Sequence, residues 1–197
     1  MPRITAPTVA EHRAAQRAAL VRAGQAALLD SGLAGISPRT VCERAGLARS
    51  SFYDYFPSKD DLLVAIAIDA IERWDAEIEQ ALAEAESGLP QLRVFVDKTM
   101  AMTADGKHEI AGTLRDARLS PSRHEDVMAL HDALLRPLIR VLTDLGLPAP
   151  ERSARLVQGV LGAGMALVPH GVAHRTVAQD VYGLLTRGMV EGLAQTA

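Results

Sequence analysis

The chain is predicted to be all-α, a small N-terminal three-helix helix-turn-helix unit followed by a larger C-terminal helical bundle. Three observations lead there. Apolar residues recur at helical spacing in segment after segment, no strand-like alternation and no internal repeat occur, and the breaks between segments are short Gly, Pro and Ser clusters. With 197 residues, 48% of them hydrophobic, the chain can bury a real core.

The first segment, about Thr8 to Ser31, reads as a helix because Leu20, Ala23, Gly24, Ala27 and Leu28 share one face, and Gly32 ends it. Before it, Met1 to Pro7 carries two prolines and reads as an arm. Next come two short helices joined by a tight turn, Ser37 to Asp61. Ser37 is an N-cap, Pro38 fits the first helical position, and Arg39 to Ala45 form the body. Gly46 supplies the turn and Leu47 an apolar wedge. A second helix is expected from about Ala48 to Phe56, with Phe52 and Phe56 on its buried back. Pro57 stops it, and Ser58 with Asp61 has the spacing of a capping box for the helix that follows. Lys59 then sits in a first turn, where the helix dipole disfavours a cation, which points to an anionic partner such as a phosphate.

Charge supports the same reading. The net charge is −3, but up to Lys59 eight basic residues face four acidic ones, a net of +4 that leaves −7 for the remainder. A basic head on an acidic body concentrates attraction to nucleic acid at one end. The second short helix would enter the major groove, braced by the first. Arg39 and Arg49 can make paired bonds to guanine or phosphate, and Ser50 and Ser51 allow close approach. Tyr53, Tyr55 and Lys59 suit phosphates.

The capped helix, the A-G-L turn, S-F-Y-D-Y-F and P-S-K-D-D-L-L together resemble the DNA-binding domain of the tetracycline-repressor (TetR) family of bacterial transcription regulators, over roughly Ala14 to Leu63. The resemblance implies DNA contacts at Arg39, Arg49, Ser50, Ser51, Tyr53, Tyr55 and Lys59. It also implies self-association through the C-terminal end and a small-molecule pocket among the body helices. Two positions depart from the pattern: Ala48 stands where the family often has a serine cap, and Asp54 puts a negative charge in the DNA-facing helix.

In the body, residues 62–86 form a long amphipathic helix with Leu63, Ile66, Ala70, Trp74, Ile78 and Leu82 on one stripe. Further helices are expected at about 91–104, 107–119, 123–145, 151–168 and 176–194, the last two around an HGVAH turn. Those two are rich in glycine, at Gly159, Gly162 and Gly164 and at Gly183, Gly188 and Gly192. Glycine costs a helix up to about 1 kcal/mol relative to alanine, so its density points to close helix contact and a four-helix dimer seam. Trp74, Phe95, Met100, Met102, Met128, His131 and Met165 fall on helices that would surround the bundle centre, either as ordinary core or as the lining of an effector pocket.

Other chemistries find no apparatus. The histidines lack the spacing of helical metal sites, no nucleophile elbow, phosphate-cradling loop or dinucleotide fingerprint occurs, and neither metal nor cofactor is expected. Cys42 is the only cysteine and reads as a small core side chain, so no intrachain disulfide can form. No run approaches the roughly 20 apolar residues of a membrane span, and Met1 to Ala10 lacks the apolar core of a secretory signal. The expectation is a cytoplasmic homodimer of two domains, 1–61 for DNA and 62–197 for effector and dimer, binding a duplex operator as a repressor released by a small molecule. A helical enzyme or small-molecule carrier with a structural N-terminal module is the competing reading.

Overall fold

The computed structural model describes residues 8–105 and 134–193, with side chains up to residue 188. The helix expected at 107–119, the first part of that at 123–145, and the pocket candidates Met128 and His131 lie outside the described residues. Within them the fold is all-helical, with eight α-helices. The chain divides into two compact units between Asp69 and Ala70.

The first unit opens with α1 (Val9–Ser31). Thr8 caps it, accepting from the Glu11 N–H at 3.2 Å while the Glu11 carboxylate accepts the Thr8 N–H, and those bonds hold the Glu11 carboxyl below its ordinary range. A 3-10 turn at Gly32–Gly35 leads to α2 (Pro38–Ala45), whose Ser37 hydroxyl accepts from Thr40 N–H at 3.1 Å. Gly46 closes α2 with φ 69°, a left-handed conformation that a side chain would strain.

The second short helix departs from expectation. It begins as a 3-10 turn, Arg49–Ser51, and only then becomes α3 (Phe52–Tyr55), a single α-helical turn. Ala48 is the reason on the sequence side: it stands at the N-cap and provides no side-chain bond, so nothing fixes α-helical geometry in the first residues. Phe52 and Phe56 are almost fully buried, with ring centroids 5.9 Å apart, and join Leu20, Val41 and Leu62 in the core. Each such ring contributes about 1.5–3 kcal/mol by burial. Cys42 is buried there too, its thiol pushed up by desolvation.

The long helix α4 (Lys59–Ala83) contributes its first part to this unit. Ser58 accepts from the Asp61 N–H at 3.2 Å and donates to the Asp61 carboxylate at 2.6 Å. The helix lies close on α1: a Cβ at Gly24 would stand 2.7 Å from Ile66 Cδ1, and Gln25 donates to Asp69 at 2.6 Å.

The second unit takes the rest of α4, then α5 (Leu89–Ala104), α6 (Arg136–Asp144), α7 (Pro150–Leu167) and α8 (His174–Leu193). Helical periodicity runs through 134–136, but α6 begins only at Arg136, because Pro137 has no N–H to give the preceding turn. Trp74, Ile78, Phe95, Val96, Met100, Leu138, Leu161 and Val177 belong to one apolar core. Gly164 lets α7 and α8 meet, since a Cβ there would stand 2.9 Å from Val181 Cγ2. Gly188 does the opposite of what its place in a helical stretch suggests: at φ 80° and ψ 171° it breaks α8.

Candidate nucleic-acid interface

The candidate site is the turn between α2 and α3 with the residues flanking it. Arg49 and Ser50 are exposed, Ser51 half-exposed, and Arg49 has no protein partner among the described residues. Tyr53 presents 59% of its surface while its ring lies edge-on to Phe52 at 5.3 Å. These four residues form a small, open surface with an unpaired guanidinium, the arrangement that can reach a groove edge and donate two bonds to a guanine or a phosphate.

The other three candidates are tied into the protein. Arg39 pairs with Glu43 across one helical turn at 2.8 Å on an exposed face, so one of its donors is in use and the rest remain. Tyr55 donates its hydroxyl to the Gln16 side chain of α1. Lys59 donates to the Leu33 carbonyl at 2.9 Å, which gives the ammonium a structural reason to sit at the start of α4. Its two remaining protons can still serve a phosphate.

Three residues of α1, Arg13, Gln16 and Arg17, are not among the site candidates the sequence offers. Arg13 donates to the Asp54 carbonyl at 2.9 Å and lies over the Tyr55 ring at 5.5 Å, while Gln16 accepts from Tyr55. Arg17 stands over the Phe56 ring at 5.1 Å. The exposed face of α1 therefore holds the C-terminal end of the short reading element, whose start has no side-chain cap. Only the i, i+3, i+4 spacing of Arg13, Gln16 and Arg17 hinted at a shared face. Asp54 is itself exposed, and it is its backbone oxygen that Arg13 engages.

This geometry coincides with a known module. The family model for bacterial regulatory proteins of the tetR family matches residues 20–66, spanning the half of α1 that packs, α2, the turn, α3 and the start of α4. Over residues 20–66 the chain is similar to the TetR family. The HTH-type transcriptional regulator Rv1816 of Mycobacterium tuberculosis is 40% identical over 64 residues, 32% of this chain and 27% of that protein, so the match spans about a quarter of the relative. Among solved structures, FadR of Bacillus subtilis in complex with stearoyl-CoA superposes with a TM-score of 0.74 at 16% identity, covering 87% of this chain and 98% of that one. AibR in complex with isovaleryl coenzyme A and operator DNA gives 0.66 at 14% identity, covering 86% and 97%. At those identities the likeness is one of fold alone, and it extends through the helical body.

In the body of the chain, Trp74, Phe95, Met100 and Met102 are buried and Met165 is half-buried. Trp74 packs edge-on against Phe95 with centroids 5.9 Å apart. Its indole Nε1 is buried with no hydrogen-bond partner among the described residues, although a buried donor ordinarily finds one. Met100 Cε lies within 3.4 Å of the space a Cβ would take at Gly164, so this methionine fills an interhelical gap as ordinary core.

Proposed function

We propose that this chain is a DNA-binding transcriptional regulator, a repressor that acts as a homodimer on a near-palindromic operator and leaves it when a small molecule binds the body. Residues 1–61 serve as the DNA-binding domain, and 62–197 as the effector and dimerisation domain. The observation that carries the reading is the open Arg49–Ser50–Ser51 turn, exposed, unpaired at Arg49, and mounted on a buried aromatic back in the basic end of the chain. Arg49 reads a base edge, Tyr53 and Lys59 meet phosphates, and Arg39 completes the basic rim.

One such turn reaches too few bases for a specific site, so a second copy is needed. Support for where it attaches comes from α7. Leu156 is 69% and Leu167 50% exposed, and Gly159 and Ala163 lie between them on the same outward stripe. A Cβ at Gly159 or Gly162 would meet nothing within 4 Å among the described residues, so there these glycines serve no internal contact. Their helix penalty is offset by a partner helix that approaches closely. With α8, two copies complete a four-helix seam.

For the effector, the complexes with stearoyl-CoA and isovaleryl coenzyme A favour an acyl-CoA thioester. The orphan Trp74 N–H supports the same region of the body as its apolar seat, since a thioester carbonyl would supply the missing acceptor. Selection of bound duplexes from a random DNA pool tests the reading. The expected product is an inverted repeat with half-sites about one helical turn apart, and no enrichment over random sequence would refute it.

A further inference from the structure

Within the second unit, α5 and the N-terminal part of α8 border a surface groove of about 540 Å³, inside the range that holds a drug-sized or cofactor-sized molecule. Its wall from α5 carries Arg93, Asp97 and Lys98, and its wall from α8 carries His174 and Arg175, with Ala178 at the floor. Three permanent cations against one carboxylate is an unusual balance for the part of the chain that bears −7.

The cations are not equivalent. Arg93 donates to Asp97 at 2.9 Å and its guanidinium lies 5.0 Å from the Tyr182 ring centroid, so it is held in place with some of its five N–H groups still free. Lys98 and Arg175 are exposed and have no partner among the described residues. Arg175 and His174 open α8, whose first turn holds no acidic residue, so the positive end of the helix dipole adds to the same potential instead of being neutralised. Placing cations there works against the helix, and their repulsion is relieved by an anion in the groove.

We propose that this groove binds the phosphates of an organic phosphate, with Arg93 as the fixed fork and Lys98 and Arg175 closing on it from opposite walls. The recognised chemistry is that of a nucleotide-like polyanion, whether free or as the coenzyme end of a thioester. In the second case it deepens the effector reading, and rests on it, by giving the charged end of that molecule a seat on the surface while the acyl chain enters the apolar core.

Calorimetric titration of the full chain, without DNA, tests this with coenzyme A, 3′,5′-ADP, inorganic pyrophosphate and isovaleryl-CoA as probes. Coenzyme A and 3′,5′-ADP are expected to bind, with affinity falling at least tenfold in Lys98→Ala and, separately, in Arg175→Ala, and unchanged in Arg22→Ala on α1. Equal affinity in all variants overturns the groove assignment, and so does the absence of binding by every phosphorylated probe. Binding of pyrophosphate with the same affinity as 3′,5′-ADP also overturns it, because the groove would then hold any anion. Release of operator DNA by isovaleryl-CoA, followed in parallel, reports on the effector reading by itself: release that persists in both groove variants sinks the groove and spares the effector.

Discussion

Single side chains decide what the reading surface can offer. Among the described residues Arg49 has no internal partner, whereas Arg39 shares its charge with Glu43 and Lys59 is spent in part on the Leu33 carbonyl. The sequence puts all three at the basic end of the chain and does not rank them, because the partner of Lys59 lies 26 residues away and is a backbone oxygen with no residue-type signature. Trp74 is the reverse case. Its position on the apolar stripe was legible from spacing, but its unpaired Nε1 is a tertiary fact. A buried unsatisfied donor costs about 1–3 kcal/mol, so Trp74→Phe, which keeps an aromatic ring and removes the N–H, should leave the thermal midpoint unchanged within a few degrees, the relief offsetting the smaller ring. The same variant should weaken binding of isovaleryl-CoA about tenfold, read by calorimetry; undiminished binding would remove the indole from the effector site.

At the scale of elements, local rules served where the determining atoms were close in sequence. Ser37, Pro38 and Gly46 bound α2 as their residue types dictate, and the Thr8–Glu11 box opens α1. The missing cap at Ala48 was visible, and its consequence is the 3-10 start of the reading element. What the sequence did not disclose is how so short an element keeps its geometry, which depends on Arg13, Gln16 and Arg17 reaching across from α1. Arg13→Ala should lower affinity for the selected operator about tenfold, the worth of one charge-assisted bond of roughly 1.5 kcal/mol. If Arg13 positions α3, the slope of log affinity against log salt stays as in the wild type, whereas a lost phosphate contact would flatten it by about 0.9. Filter binding across a salt series separates the two. Gly188 shows the limit of local reading from the other side: a glycine in a helical run can relieve crowding or leave the helix, and only its φ of 80° tells which.

Across the whole molecule, the work divides along the chain by charge and by surface. The basic end carries the reading turn; the acidic remainder carries the outward stripe of α7 and the organic-phosphate groove of α5 and α8. All-α architecture was legible throughout because helical periodicity is a property of every segment. The roles of the glycines were not, since Gly164 closes an internal contact while Gly159 and Gly162 face open space, and the residue type is the same in each. On the proposed reading the chain would work only as a pair, because each head would contribute few base contacts and the seam would set their spacing. The most direct measurement is the stoichiometry and affinity of the chain on its selected duplex, by analytical ultracentrifugation and titration, for the wild type and for Arg49→Ala. Two chains per inverted repeat, and at least a tenfold loss with Arg49→Ala, are the predicted results; one chain per duplex, or an Arg49→Ala protein that binds as tightly as the wild type, would contradict the account.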